Sequence, residues 1–449
     1  MRIDVESFQI GNYLNRSFSC ACGKAHRADI EAVEIGGGVL GLLPGYIKKH
    51  GYQKPFVVTD QNTFAAAGRA LLLELDGHEI SYAHFMYPDA RLSADERAAG
   101  RLIFELDPCC DVIIAVGAGT LNDICRMASC KLKLPYYIVA TAPSMDGFAS
   151  NVAAMTVGGV KVTYPAQTPR LILADTDVLC KAPMDMIAAG LGDMLGKYTC
   201  NADWLLSHIV TGEYRCPVIA QMMQKAVEKV TKNAGRLAAR DPEAAGAVME
   251  GLVLSGVAMS FVGNSRPASG SEHHLSHFWE MKFLQQGRAP LLHGTKVGAA
   301  TVTVCRLYER LASMGRPDFE AARRSARTFD ETLWETQIRN VYGSAASELI
   351  ENAKRDGGNS RERRLERIRA MEANWDAISD VIAHLPASES VADLLKGLHA
   401  PSGPAEAGIG AALVYDALLY AKELRGRYTV LQLLWDLGLM EEFAKEAAA

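Results

Sequence analysis

Val112-Ile113-Ile114-Ala115-Val116-Gly117-Ala118-Gly119-Thr120-Leu121-Asn122-Asp123 runs from an apolar, mostly β-branched segment through two glycines into a helical pattern. A strand, a glycine turn and a helix in that order suit a bound pyrophosphate. Without Cβ atoms the backbone approaches the anion, and the first N–H groups of the helix present the positive end of its dipole. The stretch departs from G-x-G-x-x-G, because Asn122 stands where the third glycine would be. Taken alone it also fits an ordinary strand-to-helix turn. Val57-Val58-Thr59-Asp60 adds a second signal: a carboxylate ending an earlier strand can accept hydrogen bonds from a ribose diol and repel a 2′-phosphate. That favours NAD over NADP without excluding the latter.

On either side, from about residue 31 to residue 180, β-branched runs alternate with helical patterns, the signature of βαβ units and a mainly parallel sheet. Strands are expected at Ala32 to Ile35, Pro55 to Thr59, Glu79 to Phe85, Asp111 to Val116, Tyr136 to Ala140 and Leu171 to Ala174. Gly158-Gly159, between short alternating runs from Ala153 to Tyr164, predicts an inserted β-hairpin. Beyond Ala182 strand-like runs almost vanish and apolar residues recur at helical spacing to the C-terminus. Two domains are therefore expected, an open nucleotide-binding α/β domain over residues 1–182 and an all-α domain over 183–449.

With 449 residues, 49% apolar and 22% charged, the chain has globular composition and is too long for one core. Its net charge of −5 offers no broad positive field, so neither nucleic acid nor an anionic membrane surface is an expected partner. Met1 to Asn12 lacks the basic and apolar runs of a secretory signal, and no apolar stretch is expected to approach the ~20 residues needed to span a bilayer. The ten scattered cysteines suit a reducing cytosol. A soluble, cytoplasmic protein is expected.

Several segments could carry chemistry. Gly36-Gly37-Gly38 follows a short strand, as a turn or as a cofactor contact. Thr141-Ala142-Pro143-Ser144-Met145-Asp146-Gly147 lies just past another strand, where open α/β sheets bind ligands. Gly190-Leu191-Gly192-Asp193-Met194-Leu195-Gly196-Lys197 puts three glycines into a helix at about 1 kcal/mol each, so a ligand or another backbone should approach closely, with Asp193 on the bared face. Four of the eleven histidines fall between His273 and His293. His273 and His277 share one helix face at i,i+4, His274 and His277 another at i,i+3, and spacing does not choose between them. A carboxylate with two imidazoles is a recognised set for a catalytic divalent metal. Cys20, Cys22 and His26 could hold zinc, but no fourth ligand is evident beside them.

Together, Gly117 to Asp123, Thr141 to Gly147, Gly192 to Tyr198, Ser271 to Glu280 and Leu292 to Gly298 resemble the sn-glycerol-1-phosphate dehydrogenases, in particular the bacterial type encoded in some arabinose operons. These belong with the iron-dependent alcohol dehydrogenases, glycerol dehydrogenases and dehydroquinate synthases. The likeness is carried by about residues 10 to 300. It implies a Rossmann-like N-terminal domain followed by an all-α metal-binding and substrate domain. It also implies metal binding by Asp193, His273 and His293, and substrate beside Asp146, Asp193 and His277, with Asp193 and His277 catalytic. NAD or NADP would be held by Asp60, Gly117, Ala118, Gly119, Thr120, Leu121, Thr141, Ser144 and Ser150. Ala118 stands where many relatives carry glycine. The implied ion is nickel, zinc or iron, and the implied assembly a homodimer. The implied reaction is reversible NAD(P)H-dependent reduction of dihydroxyacetone phosphate, a phosphorylated three-carbon substrate, to sn-glycerol 1-phosphate. Its rivals are a polyol dehydrogenase, a dehydroquinate synthase-like sugar-phosphate cyclase and a non-enzymatic nucleotide sensor. Lys197 and Lys296 are the candidate phosphate ligands.

Overall fold

The computed structural model describes residues 10–89, 92–158 and 160–448. Residues 1–9, on which much of the reading of the N-terminus rests, and Gly159 of the expected hairpin turn lie outside the described residues. The chain forms two compact units, one of Met1–Met194, Pro217–Ser265 and Leu292–Thr295, the other of Leu195–Cys216, Arg266–Leu291 and Lys296–Ala449. This division differs from a single cut at residue 182. That position marks where the strands stop, yet the helices Pro217–Leu237 and Pro242–Val262 belong with the strands in the first unit.

In the first unit β1 (Ser17–Ser19) and β2 (Ala25–Arg27) form a short antiparallel hairpin that the sequence reading missed. There follow β3 (Ala32–Gly36), β4 (Pro55–Asp60), β5 (Ala83–Tyr87), β6 (Val112–Gly117), β7 (Tyr136–Ala140), the antiparallel pair β8 (Val152–Val157) and β9 (Val160–Pro165), and β10 (Leu171–Asp175). Six strands form one parallel sheet in the order β3-β10-β7-β6-β4-β5. β6, β7 and β10 are buried along their whole lengths, which explains their unbroken apolar sequences: a parallel sheet is covered on both faces. The expected strand from Glu79 begins later, at Ala83. Glu79 is left-handed (φ 53°), and the Ile80 N–H closes back on the Leu75 carbonyl, so these residues finish the preceding helix.

The chain leaves β4 toward the edge strand β5 and leaves β6 toward β7 on the other side. The gap between the C-terminal ends of β4 and β6 is therefore the topological switch point, where such sheets bind ligands. Asp60 and the Gly117 turn flank it.

One expectation is corrected here. The helix Pro242–Val262 is, by length and composition, apolar enough to cross a membrane. In its most apolar window 78% of the residues are buried inside the protein, which marks it as a core helix, apolar on every side because every side is packed.

The second unit is helical. Phe278, Trp279 and Phe283 of the helix Ser271–Gln285 share one core with Trp334, Ile338, Tyr342, Trp375 and Leu418. The long C-terminal region thus supplies the packing that fixes the histidine-bearing helix.

Candidate nucleotide and metal site

Within the first unit, β6 ends at Gly117 and the helix Gly119–Leu132 starts after one residue. A Cβ on Gly117 would lie 2.7 Å from the Leu121 side chain, so glycine is required for the helix to turn this tightly off its strand. Ala118, the residue before the helix, makes no side-chain cap. The first N–H groups of the helix therefore have no side-chain competitor for an anion. Asp60 ends β4 and forms a capping box with Thr63: its Oδ1 accepts from the Thr63 N–H at 2.8 Å, while its own N–H donates to the Thr63 hydroxyl.

The Gly36-Gly37-Gly38 turn serves structure. The Gly38 and Leu40 N–H groups donate to the Asp175 carboxylate at 3.2 and 3.3 Å, so this turn binds its own protein rather than a cofactor. Thr141 and Ser144 are buried in the loop after β7, and the Thr141 N–H donates to the Gly117 carbonyl at 3.2 Å. Ser150 is buried with its hydroxyl oxygen accepting from the Val152 N–H at 3.1 Å.

The helix Met184–Thr211 explains its own glycines by close approach. A Cβ on Gly190 would stand 1.7 Å from the Pro143 carbonyl oxygen, so helix and loop 141–147 meet backbone to side-chain-free backbone. One turn further on, Asp193 is fully buried and its Oδ2 accepts from the Asp146 N–H at 2.9 Å. Asp146 is buried too, with its carboxylate accepting from the Ser255 hydroxyl at 2.8 Å. At the start of the helix His293–Met314, a Cβ on Gly294 would lie 1.8 Å from the Ala189 carbonyl oxygen. Ala189 is one turn before Asp193, so the contact that demands Gly294 also sets its neighbour His293 beside that carboxylate. His293 Nε2 is 3.9 Å from Asp193 Oδ2. That is too long for a hydrogen bond, but it lies inside the ~4.2 Å limit for two atoms each bound at about 2.1 Å to one ion.

In the second unit, Asp203 anchors the start of the helix Ser271–Gln285, accepting from the Ser271 N–H and hydroxyl at 2.7 and 2.6 Å, and from the Tyr308 hydroxyl and Val430 N–H at 2.7 Å each. Burial first, and the neighbouring Glu272 charge second, push the Asp203 carboxyl up to about 6. His273 Nδ1 is 2.7 Å from Glu272 Oε1, while Glu272 Oε2 accepts from the Thr199 hydroxyl at 2.7 Å. A carboxylate holding Nδ1–H directs the Nε2 lone pair of a histidine outward, the usual support of a metal-binding imidazole. Nothing in the spacing around His273 singles out its neighbour Glu272, and only its buried position reveals the role.

The open pairing of the histidines resolves in favour of i,i+4. The His273 and His277 rings have centroids 6.1 Å apart. His274 instead points into the interior, fully buried with neither ring nitrogen hydrogen-bonded among the described residues, and burial followed by Arg425, Arg427 and Arg266 holds its pKa well below the usual imidazole range. His277 is partly exposed, and its Nε2 lies 3.2 Å from an Arg425 guanidinium nitrogen. Among the described residues Arg425 forms no ion pair, and desolvation disfavours its charge. The two lysines expected at a phosphate are otherwise engaged: Lys197 donates to the Ala268 carbonyl at 2.9 Å, and Lys296 pairs with Glu280 at 3.3 Å, both fully buried.

Residues 34–183 match the family model described as iron-containing alcohol dehydrogenase. The chain is similar to the glycerol-1-phosphate dehydrogenase [NAD(P)+] of Geobacillus thermodenitrificans, 35% identical across 95% of this chain and 98% of that one. The chain belongs to the glycerol-1-phosphate dehydrogenases. A second member, from Halalkalibacterium halodurans, is 40% identical over 65% of this chain and 74% of its own. Among solved structures, an iron-containing alcohol dehydrogenase from Corynebacterium glutamicum superposes with a TM-score of 0.60 at 15% identity, covering 94% of this chain and 96% of that one, a likeness of fold. Membership makes this glycerol-1-phosphate dehydrogenase relative an oxidoreductase that uses NAD(P) and a divalent metal. The expected fold class, a parallel α/β domain followed by a helical region, holds.

Proposed function

We propose that this chain catalyses the reversible reduction of dihydroxyacetone phosphate to sn-glycerol 1-phosphate, with Asp193, His273 and His293 as ligands of one divalent ion. The observation that carries the metal assignment is the Asp193–His293 pair: 3.9 Å apart, one member fully buried, and held there by a contact only Gly294 permits. His273 adds a donor atom whose partner nitrogen is already fixed by Glu272. One carboxylate and two imidazoles fit nickel, zinc or iron.

When bound, the ion supplies Lewis acidity and the nicotinamide supplies hydride. The chain's residues do the rest. The Asp146 N–H orients Asp193 and, with it, the donor set. Asp60, the Gly117–Leu121 turn, Thr141, Ser144 and Ser150 hold the dinucleotide, its pyrophosphate on the uncapped helix start. His277 exchanges a proton with the substrate hydroxyl oxygen. In the hydrogen bond to Arg425 its Nε2 accepts, so its proton sits on Nδ1. Arg425 takes the substrate phosphate in place of the engaged lysines, because a half-buried guanidinium that pairs with no carboxylate among the described residues gains most from an anion.

We infer a homodimer in the cytoplasm. Among the described residues no cysteine forms a disulfide, as a reducing compartment favours. Light scattering tests the assembly. The reaction is tested by following NADH and NADPH oxidation with dihydroxyacetone phosphate and with free dihydroxyacetone, after reconstitution with nickel, zinc or iron, followed by chiral analysis of the product. Equal rates on the free ketone would overturn the phosphate assignment, and no net NADH consumption would favour cyclase chemistry.

A further inference from the structure

We propose that Cys20, Cys22, His26 and Cys216 bind a second metal ion, a structural zinc separate from the catalytic centre. β1 and β2 are three residues each, too short to hold a hairpin together unaided. Their connecting turn carries Cys20 and Cys22, and His26 lies in β2 opposite Phe18. Cys22 Sγ is 3.3 Å from His26 Nε2. Tetrahedral ligands at about 2.3 Å (sulfur) and 2.0–2.1 Å (nitrogen) would stand roughly 3.6 Å apart, so the pair is spaced as two ligands of one zinc.

His26 is almost fully buried, and its Nδ1 lies 2.7 Å from the Phe261 carbonyl oxygen. That bond puts the proton on Nδ1 and turns the Nε2 lone pair toward the thiols, the support a zinc-bound imidazole receives. The Phe18 and Phe261 rings, 5.5 and 6.1 Å from the imidazole, shield it from water. The fourth donor assigned is Cys216, a buried thiol covalently joined to Pro217, where the helix Pro217–Leu237 of the hairpin's own unit begins. Three thiolates and one imidazole make a closed structural zinc set, chemically unlike the oxygen and nitrogen donors of the catalytic ion. Binding releases the thiol protons and no redox step occurs. The zinc would do for this hairpin what a longer ladder does elsewhere, tying it to the C-terminal end of the helix Pro242–Val262 through His26.

The test uses full-length protein in which Asp193→Ala empties the catalytic centre, so the second ion is read alone. Expected are about one zinc per chain by mass spectrometry and, after exchange with cobalt, the ultraviolet thiolate-to-cobalt absorption that oxygen and nitrogen ligands do not give. Adding Cys22→Ser should abolish both, and adding Cys216→Ser should weaken the band. An Asp193→Ala protein with neither zinc nor the cobalt band overturns the site, whether or not the cysteine variants fold. A Cys216→Ser spectrum identical to its parent overturns the four-ligand set. Neither result bears on the dehydrogenase reading, which is judged by NADH oxidation.

Discussion

Gly294→Ala should break the catalytic metal site through a single methyl group that touches neither metal nor substrate. The new Cβ would lie 1.8 Å from the Ala189 carbonyl oxygen, whereas ordinary contact begins near 3.4 Å, so the two helices must separate by about 1.6 Å. The obstacle is backbone, which cannot rotate away as a side chain would. Carried to the neighbouring His293, the same shift lengthens its 3.9 Å approach to Asp193 to roughly 5.5 Å, past the ~4.2 Å two ligands of one ion can span. Metal affinity should fall by at least ~100-fold and turnover at fixed metal by a similar factor, with about 1–3 kcal/mol lost from stability. Competitive titration against a fluorescent zinc chelator measures the first, NADH oxidation the second, and urea unfolding the third. Gly235→Ala is the control. It lies exposed in the helix Pro217–Leu237 with nothing within 4 Å of its Cβ, and should leave metal binding unchanged while adding up to ~1 kcal/mol of stability. A Gly294→Ala protein with wild-type metal affinity would refute the argument that this close approach sets the Asp193–His293 pair.

Asp193→Ala should lose the catalytic ion and activity together; an active variant lacking that ion would contradict the ligand assignment. Arg425→Ala should raise KM for dihydroxyacetone phosphate by roughly 10–100-fold, the worth of hydrogen bonds to a charged group, and barely change the rate on free dihydroxyacetone; equal losses on both ketones would remove Arg425 from the phosphate. For Asp203, pushed up to about 6 and near 3.9 in the unfolded chain, the fold keeps a proton between those values that the unfolded chain has lost. Its contribution is therefore whole below pH ~4 and declines as pH rises through 6, by up to about 3 kcal/mol. Unfolding of wild type and Asp203→Asn compared from pH 4 to 7 should show the difference moving in the variant's favour by an amount of that order, and parallel curves would show that the carboxyl titrates normally.

Much of the first unit was legible because its determinants are local. The apolar runs of β6, β7 and β10 reflect burial on both faces of a parallel sheet, and the Gly117 turn is required by its own Leu121. The glycines around Asp193 announced a close approach, since a helix does not carry that cost without a neighbour. Spacing could not say which backbone approaches. Pro143 against Gly190 and Ala189 against Gly294 are contacts between residues about 50 and 100 positions apart. For the same reason spacing leaves the histidine pairing open, which Glu272 against His273 and Arg425 against His277 resolve, and it cannot show that Ala268 and Glu280 engage Lys197 and Lys296. The hairpin β1–β2 escaped notice because three residues per strand make no periodic signal. Sequence by itself determined the strand–turn–helix grammar and the kinds of donor atom available, which depend on residues a few positions apart. Which donors are free to act on a ligand and which are occupied by the protein was decided only by tertiary packing, because a buried charge takes whatever partner the distant chain brings to it.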